Sequence, residues 1–337
     1  MQEQLLGKDI DQLKEIVTKN NLPAYSAKQL AEWLYKKRVQ TIDAMSNISK
    51  KNRDILKQRY CTGYNPPVNS QESIDGTKKY LFRLQNSSKV EAAYIPEEKR
   101  KTLCVSSQAG CKMNCTFCMT GKQGFNGQLT AGEIINQILS IPESEELTNI
   151  VYMGMGEPMD NIDEVIKSIK IITSEYGMEW SPRRINVSTI GIIPAIKTFI
   201  EECEAHLAIS MHTPFHEERK KLMPIESKYP ITEIIESLRN YDLNRQRNIS
   251  FEYILFKDLN DTHEHIKGIT KLLNGLRCKI NLIRFHPFPG SNLKSSSPEK
   301  IRWFSEQLNK KGITTTIRKS RGEDIFAACG LLSAKKN

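Results

Sequence analysis

Beyond about residue 100 the chain alternates between short runs rich in β-branched residues and longer stretches with helical spacing. The runs expected as strands are 102–106, 149–153, 184–189, 206–211, 250–255, 279–284 and 314–317. Helical stretches lie between most of them. Two helix starts carry recognisable chemistry. Thr130-Ala-Gly-Glu133 has the hydroxyl and carboxylate of a capping box, and Ser297-Pro298-Glu299 offers an N-cap followed by proline in the first turn. Parallel strands need crossovers of a dozen or more residues, usually helical, so this rhythm predicts an α/β fold with a parallel sheet. Periodicity alone leaves open whether that sheet closes.

The first hundred residues differ. Residues 1 to about 60 read as short amphipathic helices, with Leu5, Ile10, Leu13, Ile16 and Val17 at helical spacing, and Leu30, Leu34 and Val39 with Trp33 nearby. Tyr80-Leu-Phe-Arg-Leu and Val90-Glu-Ala-Ala-Tyr-Ile flank Gln85-Asn-Ser-Ser and predict a hairpin. The expected partition is 1–66, a basic helical accessory domain, 67–100, a hairpin linker, and 101–337, the α/β domain.

The formal net charge is +10, and residues 1–60 carry 12 Lys/Arg against 7 Asp/Glu, half the excess in under a fifth of the 337 residues. Such a balance favours a polyanionic partner. No apolar run approaches the ~18 residues that would suggest a membrane span, and the acidic opening Met-Gln-Glu-Gln-Leu-Leu-Gly-Lys-Asp lacks the pattern of a secretory signal. Eight cysteines in such a chain point to a reducing cytoplasm and to metal binding or chemistry, not to a disulfide framework.

Three of them, Cys111, Cys115 and Cys118, occur as C-x3-C-x2-C. One short loop can hold three corners of an iron–sulfur cube in this way, and with no fourth thiolate nearby one iron is left open to a small-molecule ligand. A structural zinc would more often show paired C-x2-C knuckles, and only Cys115 and Cys118 make such a pair. Gly154-Met-Gly-Glu-Pro158 follows the second expected strand, where glycines let backbone approach a ligand and Glu157 can accept from an ammonium. Cys104 and Cys329 lie far apart in the chain, and by position alone they read, like Cys61, Cys203 and Cys278, as small buried hydrophobes.

The order of motifs is more specific than any one of them. Leu103-Cys-Val-Ser-Ser-Gln-Ala-Gly-Cys111, the cysteine triplet, Met153-Gly-Met-Gly-Glu-Pro158, Ser188-Thr189, Ser210-Met-His212 and residues 324–330 follow one another along the chain. In this order the chain resembles the radical S-adenosylmethionine dual-specificity RNA methyltransferases of the RlmN/Cfr family. The resemblance covers nearly the whole chain and is weakest before residue 90. It implies an incomplete (β/α)6 barrel with its site at the C-terminal strand ends, preceded by the basic accessory domain as an RNA-docking element. The implied activity is methylation of C2 of adenine, at adenosine 2503 of 23S rRNA and adenosine 37 of certain tRNAs. A branch that methylates C8 of the same ribosomal adenine shares Ser181-Pro-Arg-Arg and Glu217-Glu-Arg-Lys-Lys-Leu-Met-Pro224, whereas Gly156-Glu-Pro158 and Arg318-Lys-Ser-Arg-Gly-Glu-Asp324 look more like the C2 enzymes.

Residue by residue, the resemblance implies that Cys111, Cys115 and Cys118 hold a [4Fe–4S] cluster. Gly156, Glu157, Ser188, Ser210, Met211 and His212 match positions that contact S-adenosylmethionine. His286 falls where family members often carry asparagine, and Met211 where they often carry leucine. The implied mechanism uses two molecules of S-adenosylmethionine per turnover. One methylates Cys329; reductive cleavage of the second yields a 5′-deoxyadenosyl radical that activates that methyl group for addition to C2, a carbon too electron-poor for ordinary displacement. Cys104 then removes the C2 proton and attacks the Cys329 sulfur, and the resulting disulfide is reduced by exchange. Glu91 matches a carboxylate assigned as proton acceptor, although by pattern it reads as a solvent-facing strand residue. Reduced ferredoxin or flavodoxin is the implied electron donor, and a monomer is expected. Two other classes fit parts of the sequence. A radical enzyme acting on a metabolite would need neither Cys329 nor the basic N-terminus, and a zinc-binding RNA module would leave the Gly156-Glu157 and Ser210–His212 motifs without purpose.

Overall fold

The computed structural model describes residues 2–241 and 249–333. Its centre is a ten-stranded sheet made of β1 (Asn69–Glu72), β2 (Lys78–Arg83), β3 (Lys89–Pro96), β4 (Lys101–Cys104), β5 (Asn149–Tyr152), β6 (Ile185–Thr189), β7 (His206–Ser210), β8 (Ile249–Leu255), β9 (Cys278–Arg284) and β10 (Thr314–Ile317). Each strand lies beside its neighbours in the chain. β1 to β4 run antiparallel and β4 to β10 parallel. All seven anticipated strands are present, with ends within two residues of those expected. Helices follow each of β4 to β9, giving six βα units before the last strand. Among the described residues β10 pairs with β9 alone, so the barrel is incomplete.

The inner parallel strands form because their residues have apolar cover on both sides, as parallel sheets require, whereas the edge strand β10 is mostly exposed. All seven residues of β8 are buried. The helices outside are amphipathic, and Ile162–Thr173, for example, turns Val165, Ile166, Ile169 and Ile172 inward. Both anticipated caps are in place. Thr130 Oγ1 accepts from the Glu133 amide while the Glu133 carboxylate accepts from the Thr130 amide, and Ser297 caps Pro298–Lys310.

The N-terminal segment packs into the same core. Helix Ile10–Lys19 buries Leu13, Ile16 and Val17, and Ser26–Ala31 runs into a π-helical turn at Glu32–Lys36. Leu5 precedes the first helix and is fully buried. Contact with the barrel is close enough to demand glycine. A Cβ on Gly7, at φ +86°, would stand 2.2 Å from the Gly132 nitrogen, and one on Gly132 would stand 2.3 Å from the Leu6 carbonyl oxygen.

This packing draws in part of the basic excess of residues 1–60. Lys36 pairs with Glu179 at 2.5 Å, and Arg38 donates to Ser144 Oγ at 2.6 Å. Lys37 lies 3.9 Å from the Trp33 ring centroid.

Candidate active site

The C-terminal ends of the parallel strands surround a cavity of about 250 Å³. Its wall unites residues far apart in sequence: Cys111, Cys115 and Cys118, the distant Cys104 and Cys329, and Gly156, Glu157, Ser188, Ser210, His212 and His286. Of the anticipated site residues, Glu91 and Met211 do not line it.

The cysteine loop leaves the barrel after β4 and is pinned at several points. The Cys111 amide donates to Gly124 O at 3.0 Å, that of Thr116 to Leu222 O at 3.0 Å, and that of Met119 to Gly330 O at 2.8 Å. Cys115 is buried, while Cys111 and Cys118 are half-buried. Burial pushes the Cys111 thiol up to about 12 and the Cys115 thiol well above its ordinary value. Thiols held protonated in this way give up their protons when a metal binds. Cys111, Cys115 and Cys118 all line the cavity, and three thiols on one loop are a donor set that suits a cube with one iron left open.

Glu157 follows β5 and is buried beneath the cavity. Its Oε1 accepts from Thr189 Oγ1 at 2.5 Å and from the Met159 amide at 3.0 Å; its Oε2 accepts from the Ile190 amide at 3.0 Å. Burial still outweighs these bonds and pushes its pKa up to about 7. Each carboxylate oxygen can accept two bonds, so Oε2 keeps capacity for a ligand ammonium. The glycines before it have a use the sequence did not disclose. A Cβ at Gly154 would meet Val105 O at 2.7 Å, and one at Gly156, φ +97°, would meet Gln108 at 2.4 Å. They let this turn press against the chain after β4, and Gly156 reaches the cavity as well.

Ser188 and Ser210 face the cavity from the ends of β6 and β7. His212 has φ +58°, accepts the Ile254 amide at Nδ1 across 3.1 Å, and meets the Phe117 ring edge-on at 4.7 Å. Burial first, then the Arg219 charge, lowers its pKa to about 3. His286 Nδ1 lies 3.3 Å from Glu323, which joins the end of β9 to the C-terminal segment. Met211 is fully buried behind the wall, where its carbonyl accepts from Arg219 Nε at 3.1 Å.

Cys104 ends β4, packed against Ala93 and Ala327, and Cys329 reaches the same cavity from the C-terminal segment. Burial pushes the Cys104 thiol up to about 12, with the neighbouring Cys329 adding to it; Cys329 is exposed to solvent at the cavity mouth, and the protein atoms crowded around it still raise its thiol. Arg318 counters both; its Nη2 donates to Glu252 Oε1 at 3.1 Å. Glu91 instead lies in β3, 5% exposed, ion-paired with Lys79 at 3.2 Å and accepting from the Ser333 amide at 3.0 Å.

Sequence reasoning missed Arg219. Fully buried, it donates to the carbonyls of Ile190 at 2.8 Å and Ser210 at 2.7 Å as well as Met211, and pairs with Glu226. It ties together the strand ends that carry the cofactor motifs. Only its place inside the Glu217–Pro224 motif hinted at a role.

Fold and site define a radical S-adenosylmethionine enzyme, with a [4Fe–4S] cluster and S-adenosylmethionine as its cofactors. The Radical SAM superfamily model matches residues 105–272, and the ribosomal RNA large subunit methyltransferase N-terminal domain matches residues 3–62. A probable dual-specificity RNA methyltransferase RlmN of Phocaeicola vulgatus is 54% identical across 98% of this chain and 95% of its own length. The dual-specificity RNA methyltransferase RlmN of Nitratiruptor sp. is 40% identical across 97% and 98%. The crystal structure of a radical SAM methyltransferase from Sphaerobacter thermophilus superposes with a TM-score of 0.93 at 37% identity, covering 99% of this chain and all of the other. The chain belongs to the RlmN family of dual-specificity RNA methyltransferases.

Proposed function

We propose that this enzyme methylates C2 of adenine in 23S rRNA and in tRNA, with Cys329 as methyl carrier and Cys104 as the thiol that releases the product. The observation that carries this reading is the meeting of Cys104 and Cys329 in the cavity bordered by the three-cysteine loop. Neither an enzyme acting on a metabolite nor a metal-binding RNA module has use for that pair. Cys111, Cys115 and Cys118 would hold the cluster, and Gly156, Glu157, Ser188, Ser210 and His212 the cofactor. When bound, cluster and cofactor supply a transferable methyl group and, on one-electron reduction, a radical able to abstract hydrogen.

The chain's own residues account for the rest. A thiolate is the nucleophile that takes a methyl group, and Arg318 is the cation that favours a thiolate at Cys329 or Cys104. Cys104, opposite Cys329, is suited to take the ring proton and then close on the Cys329 sulfur as the carbon–sulfur bond breaks. A dithiol reductant must reopen that disulfide, and reduced flavodoxin or ferredoxin is the class of electron donor. RNA is the substrate because the relatives are RNA methyltransferases and residues 3–62 match a ribosomal RNA methyltransferase domain. On this reading both substrates are RNAs of the translation machinery, which supports a cytoplasmic location. Adenine C2 is reached only when the base is presented unstacked.

The test is mass spectrometry of nucleosides from rRNA and tRNA of a deletion strain. 2-Methyladenosine should be absent and should return with the wild-type gene but not with Cys329→Ala. Loss of 8-methyladenosine instead would move the enzyme to the C8 branch, and unchanged RNA would end the proposal.

A further inference from the structure

The antiparallel strands β1–β3 stand outside the six βα units, yet they hold the segment bearing Cys329 on both sides of that cysteine. We propose that they form a two-point cradle that sets the position of Cys329, and that Glu91 is a positioning residue within it. The inference rests on the reading of Cys329 as methyl carrier.

The segment leaves β10 with the Arg318 amide bonded to Leu282 O at 2.9 Å. Its first hold is reciprocal. Asp324 Oδ1 accepts from Ser73 Oγ at 2.5 Å and its Oδ2 from the Ile74 amide at 3.2 Å, both in the turn between β1 and β2. From that same turn Asp75 reaches back, accepting the Gly322 amide at Oδ2 across 3.0 Å and the Thr77 amide at Oδ1 across 2.9 Å. Two carboxylates, one on each side, thus cap each other's backbone. The approach leaves no room for a side chain, since a Cβ at Gly322, φ +61°, would stand 2.8 Å from both Thr77 and Ala327.

The second hold comes four residues after Cys329. Ser333 donates its amide to Glu91 Oε2 at 3.0 Å, and Glu91 Oε1 lies 3.2 Å from Lys79 Nζ. Lys79 is 8% and Glu91 5% exposed, so the pair is shielded from water. Both carboxylate oxygens of Glu91 are therefore engaged, and the residue is not on the cavity wall where a proton would be exchanged with the base. Between the two holds the segment is tied to the end of the cluster loop, where Met119 donates to Gly330 O at 2.8 Å and Thr120 Oγ1 to Leu332 O at 2.6 Å. Cys329 is thereby fixed relative to both the sheet extension and the cluster loop. A carrier that must meet a cofactor and then a base gains from such fixing, because small misplacements cost large factors in rate.

The experiment compares cluster-reconstituted wild type, Glu91→Ala, Asp324→Asn and the double variant Lys79→Met/Glu91→Gln by peptide-resolved hydrogen exchange. It also measures methylated RNA formed per 5′-deoxyadenosine released. The double variant removes the buried charges together but keeps an oxygen to accept from Ser333. Glu91→Ala and Asp324→Asn should each raise amide exchange over 321–333 by about tenfold or more. Cofactor cleavage should persist while methylated product per cleavage falls by a similar factor. The double variant should return both measures towards wild type. Wild-type exchange in Glu91→Ala would overturn the cradle, and so would a double variant as uncoupled as Glu91→Ala, because the carboxylate itself would then be required. If Glu91→Ala does not fold, Asp324→Asn and Ser73→Ala decide the matter at the other hold. Whether wild-type Cys329 gains the mass of a methyl group on exposure to S-adenosylmethionine is read separately from the same peptides. Failure there removes the carrier reading and leaves the exchange result standing.

Discussion

Thr189 donates its hydroxyl to Glu157 across 2.5 Å, so the ends of β5 and β6 share one buried carboxylate. Burial nevertheless lifts Glu157 to about 7. An acid whose folded pKa is raised binds more protons in the folded state, so stability falls as pH rises from the unfolded value, about 4.3, to the folded one. Metal-free Glu157→Gln should lack this slope. Between pH 5 and 7 the wild type should lose roughly 2 kcal/mol relative to the variant, measured by denaturant unfolding at each pH. Parallel profiles would mean that Glu157 is already ionised in the apo protein.

The cysteine loop predicts the metal. Anaerobically reconstituted protein should hold about four irons and four sulfides per chain. Replacement of Cys111, Cys115 or Cys118 by Ala should abolish the cluster's absorption and S-adenosylmethionine cleavage together. Stoichiometric zinc without acid-labile sulfide would refute the assignment.

His212 has a pH dependence of the opposite sign. Its folded pKa, about 3, lies below the unfolded value of about 6.5, so the unfolded chain binds more protons and stability is lost as pH falls through that window. The cause is geometric as well as dielectric, because Nδ1 accepts the Ile254 amide and cannot do so when protonated. His212→Asn retains an acceptor and tolerates φ +58°. Relative to that variant, metal-free wild type should lose roughly 2 kcal/mol between pH 7 and 5. Because Glu157 acts in the other direction, only the difference between variant and wild type isolates the effect. An unchanged difference across that range would show that His212 is protonated in the fold.

The seven parallel strands were legible because each is an apolar or β-branched run bounded by a capped or amphipathic helix. The cysteine loop was legible from spacing alone. What was not legible depends on distant chain. Glu91 alternates as an outward strand residue, but the C-terminal segment covers that face and Ser333, 242 residues away, supplies its partner. Arg219 sits in Glu217-Glu-Arg-Lys-Lys, a run that reads as a solvated face, and no local signal marks it as fully buried. Lys36 and Arg38 belong to the basic excess of residues 1–60, and nothing local showed that Glu179 and Ser144 engage them.

That last difference changes where RNA docking should be tested. Lys28, Lys50 and Lys51 are exposed and stand clear of the contacts that hold Lys36 and Arg38. Charge reversal at these three should weaken RNA binding and flatten its salt dependence by about one unit of slope per lost phosphate contact. S-adenosylmethionine cleavage without RNA should be unaffected. Reversal of Lys36 and Arg38 should instead lower the melting temperature. If the three exposed lysines can be reversed with affinity and salt slope intact, the N-terminal segment docks RNA by another face.

Cys104 and Cys329 are expected to fail in different ways when removed. In the proposed mechanism Cys329→Ala lacks the methyl carrier, so neither methylated RNA nor an RNA–protein adduct should form. By the same proposal Cys104→Ala should still load a methyl group on Cys329 and attach it to the base, but should lack the thiol that breaks the carbon–sulfur bond. RNA should then stay linked to Cys329 through a methylene bridge, seen as a slowly migrating, ribonuclease-sensitive band on a denaturing gel. The double variant should show no such band. Because Cys104 packs against Ala93 and Ala327, the Ala substitution trims one sulfur from a small apolar cluster, and the fold should survive it. Normal turnover by Cys104→Ala without adduct would exclude it from product release, and an adduct mapped to any residue but Cys329 would overturn the carrier assignment.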